Sequence, residues 1–366
     1  MNIYNTLMEA RPSSILPFGS LTPDQRDQVH PVFVVTPPGP PRQIEGEEPK
    51  LPTTPGAHLH KASDNIEANC KGMSIGVDLD AMKIAGPKEV VQFYRRLKQS
   101  GVNAVPVITA SSLVDPFIGN TLLRMAGEMG GAWLRLPVSG QCLADSNQII
   151  SIALSQWSVP RENTKLILDM DQLSNIDLTQ WEQGIIELLK NIPNLQSFGS
   201  VVLAAGSFPS KPKKIQADET ISIAEYERKE YQLWRSIAGN PACPVHLDFG
   251  DYGPSVARFS SSGGGSGVWP KVIYTTESTW IVLRKRRASK GHVATAYRQL
   301  CHHLVSLTNT YDGPQFSSAD ETIYDISCDS IALSEPKTAR VLAVSRHLCR
   351  TIHDLGTESV ATAIVT

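Results

Sequence analysis

The six cysteines of this chain, Cys70, Cys142, Cys243, Cys301, Cys328 and Cys349, include no C-x-x-C pair. That lack argues against a zinc ribbon or a thioredoxin-type redox site, and reduced, mostly buried thiols are expected. Long apolar runs are missing too. Nothing approaches the roughly 18 residues of a membrane span, and "MNIYNTLMEARPSS" at the start has no basic segment followed by an apolar core. The expected location is the cytoplasm, with no membrane partner. Charge of one sign is absent: 34 Lys and Arg against 36 Asp and Glu leave a formal net charge of -2. There is no global basic field of the kind that non-specific nucleic-acid binders carry.

What is present is length and pattern. At 366 residues and 41% hydrophobic, the chain can bury a large core, as one large α/β barrel or as two ordinary domains. "PVFVVT" (31–36) reads as a buried strand between prolines. Residues 37–64, rich in Pro and Gly, read as a long loop. From residue 73 strand and helix alternate. "MSIGVDL" is followed by "GPKEVVQFYRRLKQSG", in which Val90, Phe93, Tyr94 and Leu97 share one helical face. Further strands are expected at 103–109, 132–137, 165–170, 199–206, 244–250 and 271–276, eight in all with those at 31 and 75. Their Val, Ile and Leu content suits parallel strands covered on both faces.

Eight strands alternating with helices over about 250 residues predict a (β/α)₈ barrel of the TIM type; a doubly wound open sheet is the alternative. "STWIVLRKRR" (278–287) reads as a further extended segment that can pair as a hairpin. The expected organisation is a barrel over 1–310, with loops at 37–64 and at the Ser/Gly-rich 258–268, and a helical C-terminal extension over 311–366 packed on it.

In such a barrel the working end is formed by the C-terminal ends of the strands. Three strands there run into paired aspartates: "IGVDLD" carries Asp78 and Asp80, "LILDMD" carries Asp169 and Asp171, and "VHLDFGDYGPS" carries Asp248 and Asp251 with Tyr252 behind them. Arg135, Ser207 and Tyr274 fall at other strand ends. Gathered carboxylates repel one another unless a cation, an arginine or shared protons offset the charge. A divalent cation such as Mg²⁺, held by Asp78, Asp169 and Asp248, is one physical solution, although no histidine accompanies them at ligand spacing. On that reading the protein is a metal-assisted hydrolase of a phosphorylated or nucleotide substrate, with Arg135 neutralising phosphate and Tyr274 orienting or protonating the leaving group. Against it stands loop chemistry, in which aspartates at strand ends do no more than cap turns and helices. "RKRR", Arg284, Lys285, Arg286 and Arg287, is a local basic cluster that can meet phosphate or an acidic partner, or form a solvated edge. The run "AAGSFPSKPKK" adds Lys211, Lys213 and Lys214 after Ser207 as an anion-binding loop without a phosphate-loop fingerprint.

The order of "LTPDQRDQVHPVFVVTPP", "DFGDYGP", "YTTESTWIVLRKRR" and the late "FSSADETIYDIS" resembles the Beta protein family of phages, prophages and bacterial antiviral cassettes, over nearly the whole chain. The resemblance implies a role in phage–host conflict, as antiviral defence or restraint of a toxic partner, with a protein partner from the same cassette and a ligand or partner site at the Asp-lined mouth. It brings no catalytic residues. Departures occur where the family carries Gly-Asp and a histidine pair: here those positions read Ala319-Asp320 and Arg346-His347.

Overall fold

A computed structural model describes residues 2–39, 53–82, 85–138, 143–173, 177–210, 221–257, 270–285 and 292–365. Eight parallel strands close into a barrel: β1 (Tyr4–Glu9), β2 (Val32–Val34), β3 (Ser74–Asp78), β4 (Asn103–Thr109), β5 (Ala132–Pro137), β6 (Thr164–Gln172), β7 (Ser200–Gly206) and, after the excursion of β8 (Ile221–Glu227), β9 (Asp248–Asp251). The (β/α)₈ expectation is met, with one strand exchanged. The segment expected as the eighth strand is β10 (Lys271–Thr275), which lies outside the barrel and pairs antiparallel with β11 (Thr279–Lys285), itself antiparallel to β8. The strand that closes the barrel is β1, between β2 and β9.

The helices are α1 (Pro12–Gly19), α2 (Pro23–Asp27), α3 (Pro55–Cys70), α4 (Pro87–Gln99), α5 (Ala110–Val114), α6 (Ile118–Met129), α7 (Leu143–Gln156), α8 (Leu178–Asn191), α9 (Lys229–Ala238), α10 (Val293–Ser306), α11 (Ser318–Ser327) and α12 (Pro336–Val365). The reading of 37–64 as loop is corrected in its second part, while 40–52 fall outside the described residues. Thr54 accepts from the Ala57 amide at 3.2 Å, and Pro55 occupies the first turn of α3. Proline there forgoes only an N–H that helix starts leave unpaired. Leu59, Ala62, Ile66 and Cys70 then bury one face of the helix. The expected loop at 258–268 lies outside the described residues.

Alternation along the strands makes two apolar layers. Ile75, Val77, Leu134, Leu136, Leu166, Leu168 and Phe249 join the large core beneath the helices. Leu7, Val32, Val34, Val105, Val107, Trp133, Ile167, Val202 and Ala204 fill the barrel interior. Gly76 makes room there, since a Cβ on it would meet the Trp133 ring at 2.2 Å. The interior is a packed core, so what stands above it at the strand ends is free to serve another purpose.

The three-stranded sheet packs on α10 and α11 around Val272, Tyr274, Ile281, Leu283, Tyr297, Leu300 and Ile323. Helix α12 runs from that layer to the barrel, adding Ala339 to this core and Leu348, Ile352 and Leu355 to the barrel's.

Candidate functional site

Three strands deliver charge to one point at the C-terminal end of the barrel. Period-two alternation aims Asp78 of β3, Arg135 of β5 and Asp169 of β6 inward, each two residues above an interior position, Gly76, Trp133 and Ile167. The guanidinium of Arg135 donates from Nε and Nη2 to Asp169 Oδ2 at 2.8 and 2.6 Å, and from Nη1 to Asp78 Oδ2 at 2.7 Å. Tyr252, just past β9, donates its hydroxyl to Asp169 at 2.7 Å and accepts from Arg135 Nη2 at 2.9 Å. The outer oxygens are tied back by the chain: the Asp80 amide donates to Asp78 Oδ1 and the Asp171 amide to Asp169 Oδ1, both at 2.9 Å. Asp171 sits at φ 55, in the left-handed region that Asp tolerates better than most side chains.

The electrostatics follow from burial. The Asp78 and Asp169 side chains are 2% and 8% exposed, that of Arg135 18%. Burial pushes the Asp78 carboxyl up, while Arg135 and the Asp80 amide pull it back. Tyr252 is held well above the ordinary phenol by burial and by the Asp169 charge. Burial works against the Arg135 charge, but Asp169 and Asp78 outweigh it and keep the guanidinium cationic. The cluster sets two carboxylates against one guanidinium, leaving an acidic surplus.

Most of the other expected site residues are placed elsewhere. Asp248 opens β9 instead of ending it, at the opposite end of the barrel from Asp78 and Asp169. It accepts from the Ile3 amide at 3.1 Å, and its charge acts on Lys165 and His30. Asp251, one of the outward set with Phe249, is buried against α12. Asp80 is at the mouth, accepting from Ser111 and Ser112 at 2.8 and 3.0 Å. Ser207 donates to the Glu227 carbonyl at 3.1 Å and accepts from Trp280 Nε1 at 3.3 Å, joining β7 to the outer sheet. Tyr274 lies in that sheet, bonded to Asp320 at 2.8 Å, and not at the mouth. Arg284 and Lys285 end β11, Lys285 bonding Gln299; Arg286, Arg287, Lys211, Lys213 and Lys214 fall outside the described residues.

The donor set does not fit the expected cation. Asp78 and Asp169 already hold a guanidinium between them, and Asp248 is at the far end. Among the described residues no group of three His, Cys, Asp or Glu side chains is arranged for a metal ion. The arginine does what a cation was expected to do.

Sequence reasoning missed the rim and the far end. At the end of β1, Glu9 accepts from Thr36 Oγ1 and pairs with Arg11 Nε, both at 2.6 Å. At the far end Lys165 donates to Asn5 Oδ1 at 2.5 Å, lies 2.8 Å from His30 Nδ1 and sits 4.2 Å above the Trp133 ring. On α12, Arg346 is buried against Tyr274 and Phe316 and pairs with Asp320 at 3.1 Å. Its signal was the Arg346-His347 pair, which the sequence alone could not connect to the barrel.

The sequence family described as "Beta protein" matches residues 4–353. No curated protein matches this sequence. Among solved structures, the chain is similar to a triosephosphate isomerase from Bartonella henselae, at 9% identity and a TM-score of 0.34 over 69% of this chain and 92% of that one. It is also similar to the N-terminal domain of a "putative aldolase" from Bacteroides vulgatus, at 12% identity and a TM-score of 0.36 over 98% and 99% of the two chains.

Proposed function

The chain belongs to the Beta protein family, and from that premise we propose that it is a binding barrel of phage–host conflict, acting in antiviral defence or in restraint of a toxic partner. Its ligand or protein partner docks at the mouth above Arg135. The observation that carries this reading is the Asp78–Arg135–Asp169 bridge. A buried ion network is costly to desolvate and adds little to stability compared with apolar packing. The barrel interior beneath it is already closed by apolar side chains, Trp133 among them. The acidic surplus favours a partner group that is cationic or rich in hydrogen-bond donors.

Metal-assisted hydrolysis is the weaker reading, because its three aspartates divide between the two ends of the barrel and its proposed acid, Tyr274, serves the outer sheet. The decisive experiment compares wild type with Asp169→Asn and Asp171→Asn in a phage-challenge assay and in co-expression with cassette neighbours. Loss of protection or of complex formation, with unchanged melting temperature, is the expected result. Full retention by both variants would remove the mouth from the function, and no effect of the wild-type protein in either assay would remove phage–host conflict.

A further inference from the structure

A second cleft opens beside the mouth, between the first turns of α12 and the edge of β10. About 350 Å³ in volume, it is lined by Lys271 and Ile273 of β10, Tyr297 of α10, Pro254 beyond β9, and Lys337, Ala339, Arg340 and Ala343 of α12. That size falls within the roughly 300–1,000 Å³ of small-molecule sites. Three of its side chains are cationic and none is acidic. Lys271 and Arg340 are both half-buried, and among the described residues no carboxylate lies within ion-pair distance of either. The acidic group that acts on Arg340 at longer range is Glu9, already held by Arg11 and Thr36 at 2.6 Å. Burial, and then like charge, bears on both cations: Arg340 and Arg284 on Lys271, Arg11 on Arg340.

Two partly desolvated cations side by side, with no counter-ion among the described residues, are unfavourable on their own. A bound anion removes that cost, and the geometry suits a doubly charged one. The Arg340 fork can bind two oxygens in parallel, and the Lys271 ammonium acts as a point charge. We propose that this cleft binds a phosphate-bearing small molecule. Lys271 and Arg340 hold the phosphate, Lys337 stands at the entrance, and Ile273, Tyr297, Ala339 and Ala343 pack on the less polar remainder. The proposal is independent of the reading of the mouth, with which the cleft shares no residue.

The test titrates the full chain with inorganic phosphate, following melting temperature and heat of binding, against chloride at matched ionic strength. Saturable one-to-one binding of phosphate is expected. Arg340→Gln and Lys271→Gln should each weaken it by about tenfold or more, the scale of a lost charge-assisted hydrogen bond. Arg95→Gln, which breaks an exposed pair with Glu128, should leave it unchanged. In phosphate-free buffer the two Gln variants at the cleft should melt no lower than wild type, because each removes a partly desolvated charge that faces another of the same sign. Equal shifts with phosphate and chloride, or wild-type phosphate affinity in both variants, would overturn the proposal.

Discussion

Tyr4, on the strand that closes the barrel, and His347, on the last helix, meet at 2.8 Å across 343 positions of sequence. Both converge on Asp251: the Tyr4 hydroxyl donates to Oδ1 at 2.6 Å and His347 Nε2 lies 2.8 Å from Oδ2, with the Gly253 amide adding a bond of 3.0 Å. The imidazole also stacks on Trp280 of the outer sheet, centroids 4.7 Å apart. One ring therefore ties barrel, outer sheet and α12 together, and burial pulls its pKa below the ordinary histidine value while the Asp251 charge opposes that pull. His347→Ala removes the stack and leaves buried polar groups unpaired. The expected loss is about 2–4 kcal/mol, measured by urea unfolding, with faster amide exchange along α12. His302→Ala, exposed on α10, should stay within about 0.5 kcal/mol. Equal effects of the two would show that the triad holds nothing together.

The mouth makes a prediction about charge. Arg135→Met deprives two buried carboxylates of their shared cation, which should cost about 3–5 kcal/mol at neutral pH. The deficit should shrink on acidification, because Asp78, which burial already pushes up, loses the guanidinium that pulls it back and so takes up a proton more readily in the folded state than in the unfolded one. Adding Asp169→Asn should recover part of the loss. A deficit that is constant from pH 5 to 8 would mean the guanidinium serves as packing and not as counter-charge.

How much of this was legible depended on what each side chain faces. Strands such as "KLILDM" show themselves because both their faces are buried in apolar layers. β1 did not, because Asn5 and Glu9 point into the barrel and meet Lys165 and Arg11, so "YNTLME" lacks the aliphatic run of a parallel strand. β10 carries that run, Val272, Ile273 and Tyr274, for a different reason: it packs under α10 and α12. The same register error moved Asp248 to the wrong end, since the apolar run "PVHL" precedes the strand. Asp78, Arg135 and Asp169 were recoverable because alternation and strand ends are local properties. The Tyr4–Asp251–His347 contact and the Lys271–Arg340 cleft were not, being set by the docking of a helix more than 300 residues from β1.

The far end of the barrel carries its own pH signature. Burial pulls Lys165 down to about 7, partly opposed by Asp248, and pulls His30 down to about 3, aided by the Lys165 charge. Both groups bind protons more weakly in the folded state, so the unfolded chain holds more protons between about 7 and 10.5 for Lys165. Stability should accordingly rise with pH across that window. The difference between wild type and Lys165→Met should slope there by a few kcal/mol in total. A flat difference would place the ammonium in contact with water.

Glu230 should show the opposite sign. It opens α9 fully buried, its carboxylate 3.6 Å from Arg228 Nε, an ion pair beyond hydrogen-bond range. Burial raises its carboxyl from 4.5 to about 7 against the pull of Arg228, and the nearby Asp251 charge pushes the same way. The folded state thus holds a proton that the unfolded state has released. Stability from this group is complete below about 4.5 and is lost as pH rises through about 7. Arg228 keeps other partners, donating from Nη1 to the Thr276 and Glu277 carbonyls at 3.1 and 3.2 Å and to Asp354 Oδ2 at 3.4 Å, so neutralising Glu230 does not strand it. Glu230→Gln should therefore gain about 1–3 kcal/mol over wild type at pH 8 and nothing at pH 4. If the variant is less stable than wild type at pH 8, the Arg228 pair outweighs the burial of Glu230, and the carboxylate is charged in the folded protein.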